Sequence, residues 1–265
     1  MNKSIKKMKW KQGFALIIPL VSLALIGSYI VSKNDKFSKE EAINWQQQYE
    51  EKYTIFKTKP QPTIVDVKTT IDLFPEQNSY KVKGTYILVN KTQAEISEIL
   101  INTNKEITWN SITSSNLVLV NKDIQFGQYL FEATQKVVPN DTLTIHFDFE
   151  YQIEPLKGHQ SFNAIVDNGT FIRISNYFPS IGYNFDNQIE DKEERKARKM
   201  PLLDPLTKVD APLKNPYPYQ YINFDAVIST SANQTAISIG ELVEKKQKNN
   251  RNYFHYKAKD IPFRF

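Results

Sequence analysis

Few side chains in this 265-residue sequence could do chemistry. There are three histidines, His146, His159 and His255, and no cysteine. A catalytic zinc needs several protein ligands around an open position, and helical zinc motifs set two imidazoles on one helix face. His-Glu-x-x-His is absent, and no histidine has a second one three or four residues away. His146 and His255 fall in runs that alternate apolar and polar residues, so they read as strand positions. His159 follows Lys157-Gly158 in a loop-like stretch. Gly-x-Ser-x-Gly and the Gly-x-x-x-x-Gly-Lys phosphate loop are missing as well. The adjacent carboxylates Glu193-Glu194 lie in a run dense in both charge signs, where exposure should leave them unperturbed. The sequence thus yields no catalytic residue, no cofactor-binding residue and no metal ligand. The expectation is a protein that is not an enzyme and carries no cofactor.

The elements around these residues are more legible than the chemistry. Phe14 to Val31 is a run of eighteen residues without a charge. As a helix it is long enough to span the hydrocarbon core of a bilayer. Lys3, Lys6, Lys7, Lys9 and Lys11 precede it with no acid among them, whereas three lysines and three acids share Ser32 to Glu41. Lysine excess marks the cytoplasmic side, so the N-terminus is expected inside and the rest of the chain outside. A cleaved signal peptide has a shorter apolar core and a small-x-small cleavage site, and no Ala-x-Ala follows this run. Pro19 does not oppose a lipid-embedded helix. The expected localisation is a bacterial cytoplasmic (inner) membrane, crossed once, with an extracytoplasmic C-terminal domain.

The net charge of +5 is matched by the five lysines of the tail, which leaves the remainder near neutral. That balance speaks against a nucleic-acid partner. Without cysteine, no disulfide braces the external part. Aromatic residues are abundant, with 14 Tyr and 16 Phe, while Gly numbers only 8, a bias that favours strands.

Ser38-Lys39-Glu40-Glu41 has the form of a capping box, and Ala42, Trp45, Tyr49 and Tyr53 recur at helical spacing. A helix over 39–53 is expected, with the aromatic stripe used for packing. From Pro60 the period changes to two. Strands are expected at 64–74 and 80–89, joined by the turn Pro75-Glu76-Gln77-Asn78 into a hairpin. Further strands are expected near 95–102, 106–112, 116–120, 128–133, 141–151, 221–230 and 235–239, with a last hairpin over 242–257 turning at Asn249-Asn250. Gly158 to Tyr183 reads as an ordered loop packed on the sheets. Gln188 to Met200 reads as a solvated helix, in which neighbouring acids cancel most of the field of Arg195, Lys196, Arg198 and Lys199. Pro201, Pro205, Pro212, Pro216 and Pro218 mark an extended crossing segment. Ile261, Phe263 and Phe265 continue a strand that lacks an evident partner, so an unpaired, self-associating edge is expected there. The division is a basic cytoplasmic tail at 1–13, a transmembrane helix at 14–31, a juxtamembrane helix and linker at 32–59, and a mainly β domain at 60–265, built as open curved sheets or a saddle-like β-sandwich.

Several stretches also resemble a known family. Ile64-Val65-Asp66-Val67, Leu73-Phe74-Pro75-Glu76 and Lys83 to Thr92 (KGTYILVNKT) are similar to the start of the N-terminal β-domain of aminopeptidase N-type zinc peptidases. Asn168-Gly169-Thr170-Phe171, Phe178-Pro179-Ser180-Ile181-Gly182-Tyr183-Asn184, the charged run to Arg198 and Phe224 to Ser231 (FDAVISTS) bring it closest to a bacterial subgroup fused to an ABC-type permease. The resemblance covers roughly 39–260. It implies a saddle of sheets that packs against a following catalytic domain. The motifs of that domain, Gly-x-Met-Glu-Asn and His-Glu-x-x-His, are absent from this chain. In the family the β-domain lends a Gln to hold the substrate's amino terminus; Gly169-Thr170-Phe171 stands in that neighbourhood here. The resemblance implies a membrane-anchored, non-catalytic β-domain, expected to be a split or truncated member. Two alternatives stand beside it: an interaction module that completes a separately encoded zinc peptidase or ABC transporter, and a stand-alone peptide-binding module.

Overall fold

The computed structural model describes residues 2–33 (side chains 17–32), 38–153, 165–166, 169–203 and 221–263. His159, Asn168, Phe265 and the prolines from Pro205 to Pro218 lie outside the described residues. In chain order the elements are α1 (Asn2–Lys33), α2 (Lys39–Tyr53), β1 (Thr63–Phe74), β2 (Ser79–Val89), β3 (Ile96–Asn102), β4 (Thr108–Thr113), β5 (Leu117–Asp123), β6 (Gln128–Val137), β7 (Thr142–Gln152), the short pair β8 (Ile165–Val166) and β9 (Gly169–Thr170), the single turn α3 (Ile174–Tyr177), β10 (Ser180–Ile181), α4 (Lys192–Ala197), β11 (Tyr221–Ser231), β12 (Glu241–Lys248) and β13 (Arg251–Pro262).

The fold is mainly β, with open sheets. Seven strands form one sheet in the order β12-β13-β11-β1-β2-β7-β4, and four form a second in the order β10-β3-β6-β5. The period-two pattern decides which face each residue takes. On β2 the inward residues are Tyr80, Val82, Gly84, Tyr86 and Leu88; on β7 they are Leu143, Ile145, Phe147, Phe149 and Tyr151. Their neighbours Lys81, Lys83, His146, Asp148 and Glu150 point the other way. The inward sets of the two sheets meet in one core, to which β3 and β6 add Ile99, Ile101, Tyr129 and Phe131. The expected hairpin of β1 and β2 is present, and Asn78 closes it in the left-handed region at φ 47°. The seven-stranded sheet is mixed, because β1 pairs β11 in parallel and β2 antiparallel.

The four-stranded sheet is covered on its second face too. Ser38 caps α2 through the expected capping box, its side chain accepting from the Glu41 amide while the Glu41 carboxylate accepts from the Ser38 amide. Tyr49 and Tyr53 of α2 then pack with Phe56, Phe126 and Tyr183 onto Leu100, a residue of β3 turned away from the main core. The helix expected to lead away from the membrane is thus a third layer of the domain. Asp123, at the end of β5, fastens α2 by accepting from Lys52 Nζ at 2.5 Å and from Tyr53 Oη at 2.7 Å. Burial alone would raise the Asp123 carboxyl, but these two donors outweigh it and hold it below its ordinary value.

Four sequence expectations are corrected. The run 235–239 forms no strand. A side chain of β13 takes one carbonyl there, Tyr256 Oη donating to Ala236 O, and just before the run Asn252 Nδ2 donates to Ala232 O and Gln234 O. The charged run at 188–200 is helical only over Lys192–Ala197, and its solvated face, with Lys192, Glu193 and Lys196 exposed, is backed by a buried side that holds Arg195. Glu194 is half-buried and ion-paired with Lys39 at 3.2 Å, so it is not free as expected. The end of β13 is paired: Ile261 lies opposite Ile222 and Pro262 opposite Tyr221, and Phe263 is buried against Tyr86. Ile261 and Phe263, which suggested a bare edge, are accounted for by β11 and the core.

Helix α1 carries both the basic tail and the apolar run in one piece. Among the described residues no helix is long and apolar enough to cross a membrane. The described side chains of α1 begin at Ile17 and so contain only part of the run from Phe14.

Candidate interaction surface

The two described histidines do not converge. Both sit on the outer face of the seven-stranded sheet, His146 on β7 and His255 on β13. Four strand spacings separate them in the order β13-β11-β1-β2-β7, roughly 19 Å at the usual spacing. One metal ion bonded at about 2 Å cannot take both. Each has a partner of its own. His146 Nδ1 is 2.9 Å from Thr85 Oγ1, and His255 Nε2 is 2.6 Å from Asp225 Oδ1. Lys257 Nζ adds a contact of 3.3 Å to the second carboxylate oxygen of Asp225. Burial pushes that carboxyl up, but bonds from His255 and Lys257 prevail and hold it below its ordinary value. Among the described residues no group of three or more His, Asp or Glu side chains is placed to hold a metal.

A different place has the shape of a site. A cavity of about 710 Å³ opens beside the core where β1 and β11 meet the segment after β9 and the run before β12. That volume is in the range of about 300–1,000 Å³ that serves ligands or a partner's side chains. Its floor is apolar and buried: Ile71 and Leu73 from β1, Phe224 and Ile228 from β11. Its rim mixes polar residues, among them Thr170, Asn233 and Thr235, with exposed apolar ones. Phe171 is 74% exposed and Ile237 is 85% exposed, although both are large hydrophobes. Phe171 belongs to the stretch that carries the family resemblance. Ile237 lies in the run that the period-two pattern marked as a strand; because 235–239 follows the sheet without joining it, Ala236 turns in and Ile237 turns out.

Polar ties brace the opposite, outer face of the strands that floor the cavity. Arg251 reaches across from β13 and donates to Leu73 O at 2.9 Å and Ser229 Oγ at 2.6 Å, and its guanidinium lies 4.5 Å from the Phe74 ring centre. Ser229 Oγ in turn donates to Asp72 at 2.5 Å. At the turn into β12, Gly240 has φ +96°, and a Cβ there would lie 2.2 Å from Lys257 O. Only glycine fits that close approach at positive φ.

A second polar cluster escaped the sequence reading. Glu50 of α2 and Arg195 of α4 are both buried and form a two-point ion pair, Nη1 to Oε1 at 2.8 Å and Nη2 to Oε2 at 3.1 Å. Arg195 also donates to Ile189 O and Pro201 O, and Glu50 accepts from the Ile189 amide. Arg198 is engaged as well, bonding Asn44 and Gln47 of α2. These arginines therefore dock α4 to α2, and they are not open to a phosphate. The helical period of α2 marked Tyr49 and Tyr53; the adjacent Glu50 gave no signal that it would be buried.

No family profile and no curated protein sequence matches this chain. Among solved structures, partial similarity is found to M1 zinc metallopeptidases. An M1 zinc metallopeptidase from Deinococcus radiodurans aligns over 76% of this chain at 10% identity with a TM-score of 0.44. A two-domain M1 zinc metallopeptidase variant bound to L-tryptophan gives the same coverage, identity and score, and one bound to L-arginine scores 0.43. This chain spans about 40% of the length of those proteins.

Proposed function

We propose that this chain is a membrane-anchored, non-catalytic β-domain of aminopeptidase N type, whose role is to dock a partner. The partner class is a peptidase catalytic domain or an ABC-type permease. The observation that carries the reading is the apolar cavity with Phe171 and Ile237 standing exposed at its rim. Large exposed hydrophobes grouped around an apolar recess mark surfaces that another molecule covers. The sequence resemblance supports a peptidase-type partner.

Anchoring is supported by α1. Leu20, Leu23 and Leu25 are each 64% or more exposed, and Ile17, Ile18 and Val31 are half exposed or more. A helix apolar on every side and unpacked by its own protein suits lipid. With the lysine asymmetry, this supports a β-domain on the outer side of the cytoplasmic membrane. Protease added to intact spheroplasts is expected to degrade everything after Val31. Complete protection of that region would contradict the assignment.

A second reading, a stand-alone binder of extended peptides, is favoured by the run 235–239. It follows the rim of the cavity without belonging to a sheet and presents Thr235 and Ile237, both exposed, to an extended peptide lying in the cavity. Loss of peptide binding on Ile237→Asp, with no response to any catalytic domain, would select this reading.

A further inference from the structure

The two sheets end on four edges, and they are not guarded alike. An open edge strand offers unpaired amides and carbonyls to any other strand, and proteins blunt it with charge, short length or bulges. β10 is only two residues long. β12 carries Glu241, Glu244, Lys245, Lys246 and Lys248 in eight residues, a well-charged edge. β4 is short and its single apolar side chains, Trp109 and Ile112, turn to the core. β5 differs from all three. Its partner β6 takes one side only. Val118 is 55%, Leu119 43% and Val120 44% exposed, and Ile124 just beyond is 74% exposed. No charged residue occurs from Ile107 to Asn121. Its guard is the one bulge between Leu119 and Asn121, and the bulged side chain is itself an exposed valine.

We propose that β5 is the pairing edge of a symmetric homodimer, in which two copies of this chain set β5 antiparallel to β5 and join their four-stranded sheets into one. A two-fold interface must be complementary to itself. For any axis placed between Leu117 and Val120, Lys122 and Asp123 fall opposite uncharged residues of the other copy, so no like charges meet. Such a pairing covers the exposed Val118, Leu119 and Val120 and gives the outer amides and carbonyls of β5 their missing ladder. A seven-residue edge is small beside the roughly 1,200–2,000 Å² of a stable interface, so the dimer is weak and reversible. It lies on the four-stranded sheet, away from the cavity on the seven-stranded one, and does not depend on what docks there.

The natural absence of cysteine allows a direct test on the full chain in detergent. Single cysteines are placed at Val118, Leu119 and Val120, with Lys245→Cys as the control on β12. Residues opposite each other in an antiparallel pair have Cα atoms about 4.5–5.5 Å apart, within disulfide reach. Mild oxidation is expected to give a disulfide dimer that peaks at one of the three β5 positions and is weak for the control. Sedimentation is expected to show Val118→Lys weakening the dimer about tenfold or more while the melting temperature stays unchanged, since the side chain is exposed. Equal crosslinking at β5 and β12, or a monomer at every concentration, would overturn the proposal. So would a β5 edge that binds a foreign strand peptide but never a second copy.

Discussion

Replacing Gly84 with alanine is expected to destabilise the domain by about 3 kcal/mol, the upper part of the range for overpacking a core. The reason is steric. Gly84 is a core-facing position of β2, directly opposite Phe147 of β7. A Cβ built there lies 2.0 Å from Phe147 Cζ, and two further ring atoms come within 2.7 Å. The ring cannot swing away. It is buried, packs against Tyr86 at 4.7 Å and stands edge-on to Phe178 at 5.4 Å. The backbone of Gly84 has no positive φ, so the requirement is for space and not for conformation. The companion variant Gly84→Ala/Phe147→Leu should recover part of the loss, because the smaller side chain vacates the space. Denaturant melts of the two variants and of Phe147→Leu alone complete a double-mutant cycle. A change below about 0.5 kcal/mol for Gly84→Ala would show that the strands do not pair in this register.

Removing one member of the Glu50–Arg195 pair is expected to cost about 3–5 kcal/mol, because the other charge stays buried without its partner. Arg195→Met should leave Glu50 with the Ile189 amide and with Lys57 at 3.7 Å, a longer contact than the lost one. The reverse change, Glu50→Leu, strands a guanidinium whose remaining bonds go to two carbonyls. Replacing both together, as Glu50→Leu/Arg195→Met, should restore much of the stability, since a well-packed apolar pair rivals a buried ion pair. The docking of α4 on α2 is the structure at stake, and amide exchange at 189–198 reports it. Single variants as stable as the parent protein would mean that this pair is solvent-exposed.

The strands were legible because nearly all of them have one face in the core. β2 and β7 alternate without interruption, and the hairpin between β1 and β2 is marked by Pro75 and by an asparagine where positive φ is needed. Gly84 could be noticed as a glycine inside a strand, a sign of close approach, but not what approaches it. The parallel pairing of β1 with β11 leaves no local mark, since partners such as Asp72 and Ser229 are remote in sequence. Alternation also misled at 235–239, where the Tyr256 hydroxyl of β13 takes the Ala236 carbonyl and the run stays outside the sheet. The buried Arg195 was hidden for a related reason. A run such as KEERKARK has the composition of a solvated helix, and only the position of Glu50 on α2 makes one of its cations an internal residue. Of the candidate surface, Phe171 was visible through the resemblance, while Ile237 required knowing that its run leaves the sheet.

The cavity between β1, β11 and the 235–239 run is the proposed docking surface. The direct measurement is calorimetric titration of the full chain in detergent with an aminopeptidase N-type catalytic domain from the same organism. Saturable binding is predicted for the unaltered chain, with a negative heat-capacity change from burying apolar surface. Phe171→Asp and Ile237→Asp should each weaken it at least about tenfold without changing the fold, because both side chains are exposed in the free protein. Binding unaffected by both substitutions, or aminoacyl-anilide turnover by the chain alone, would contradict the account.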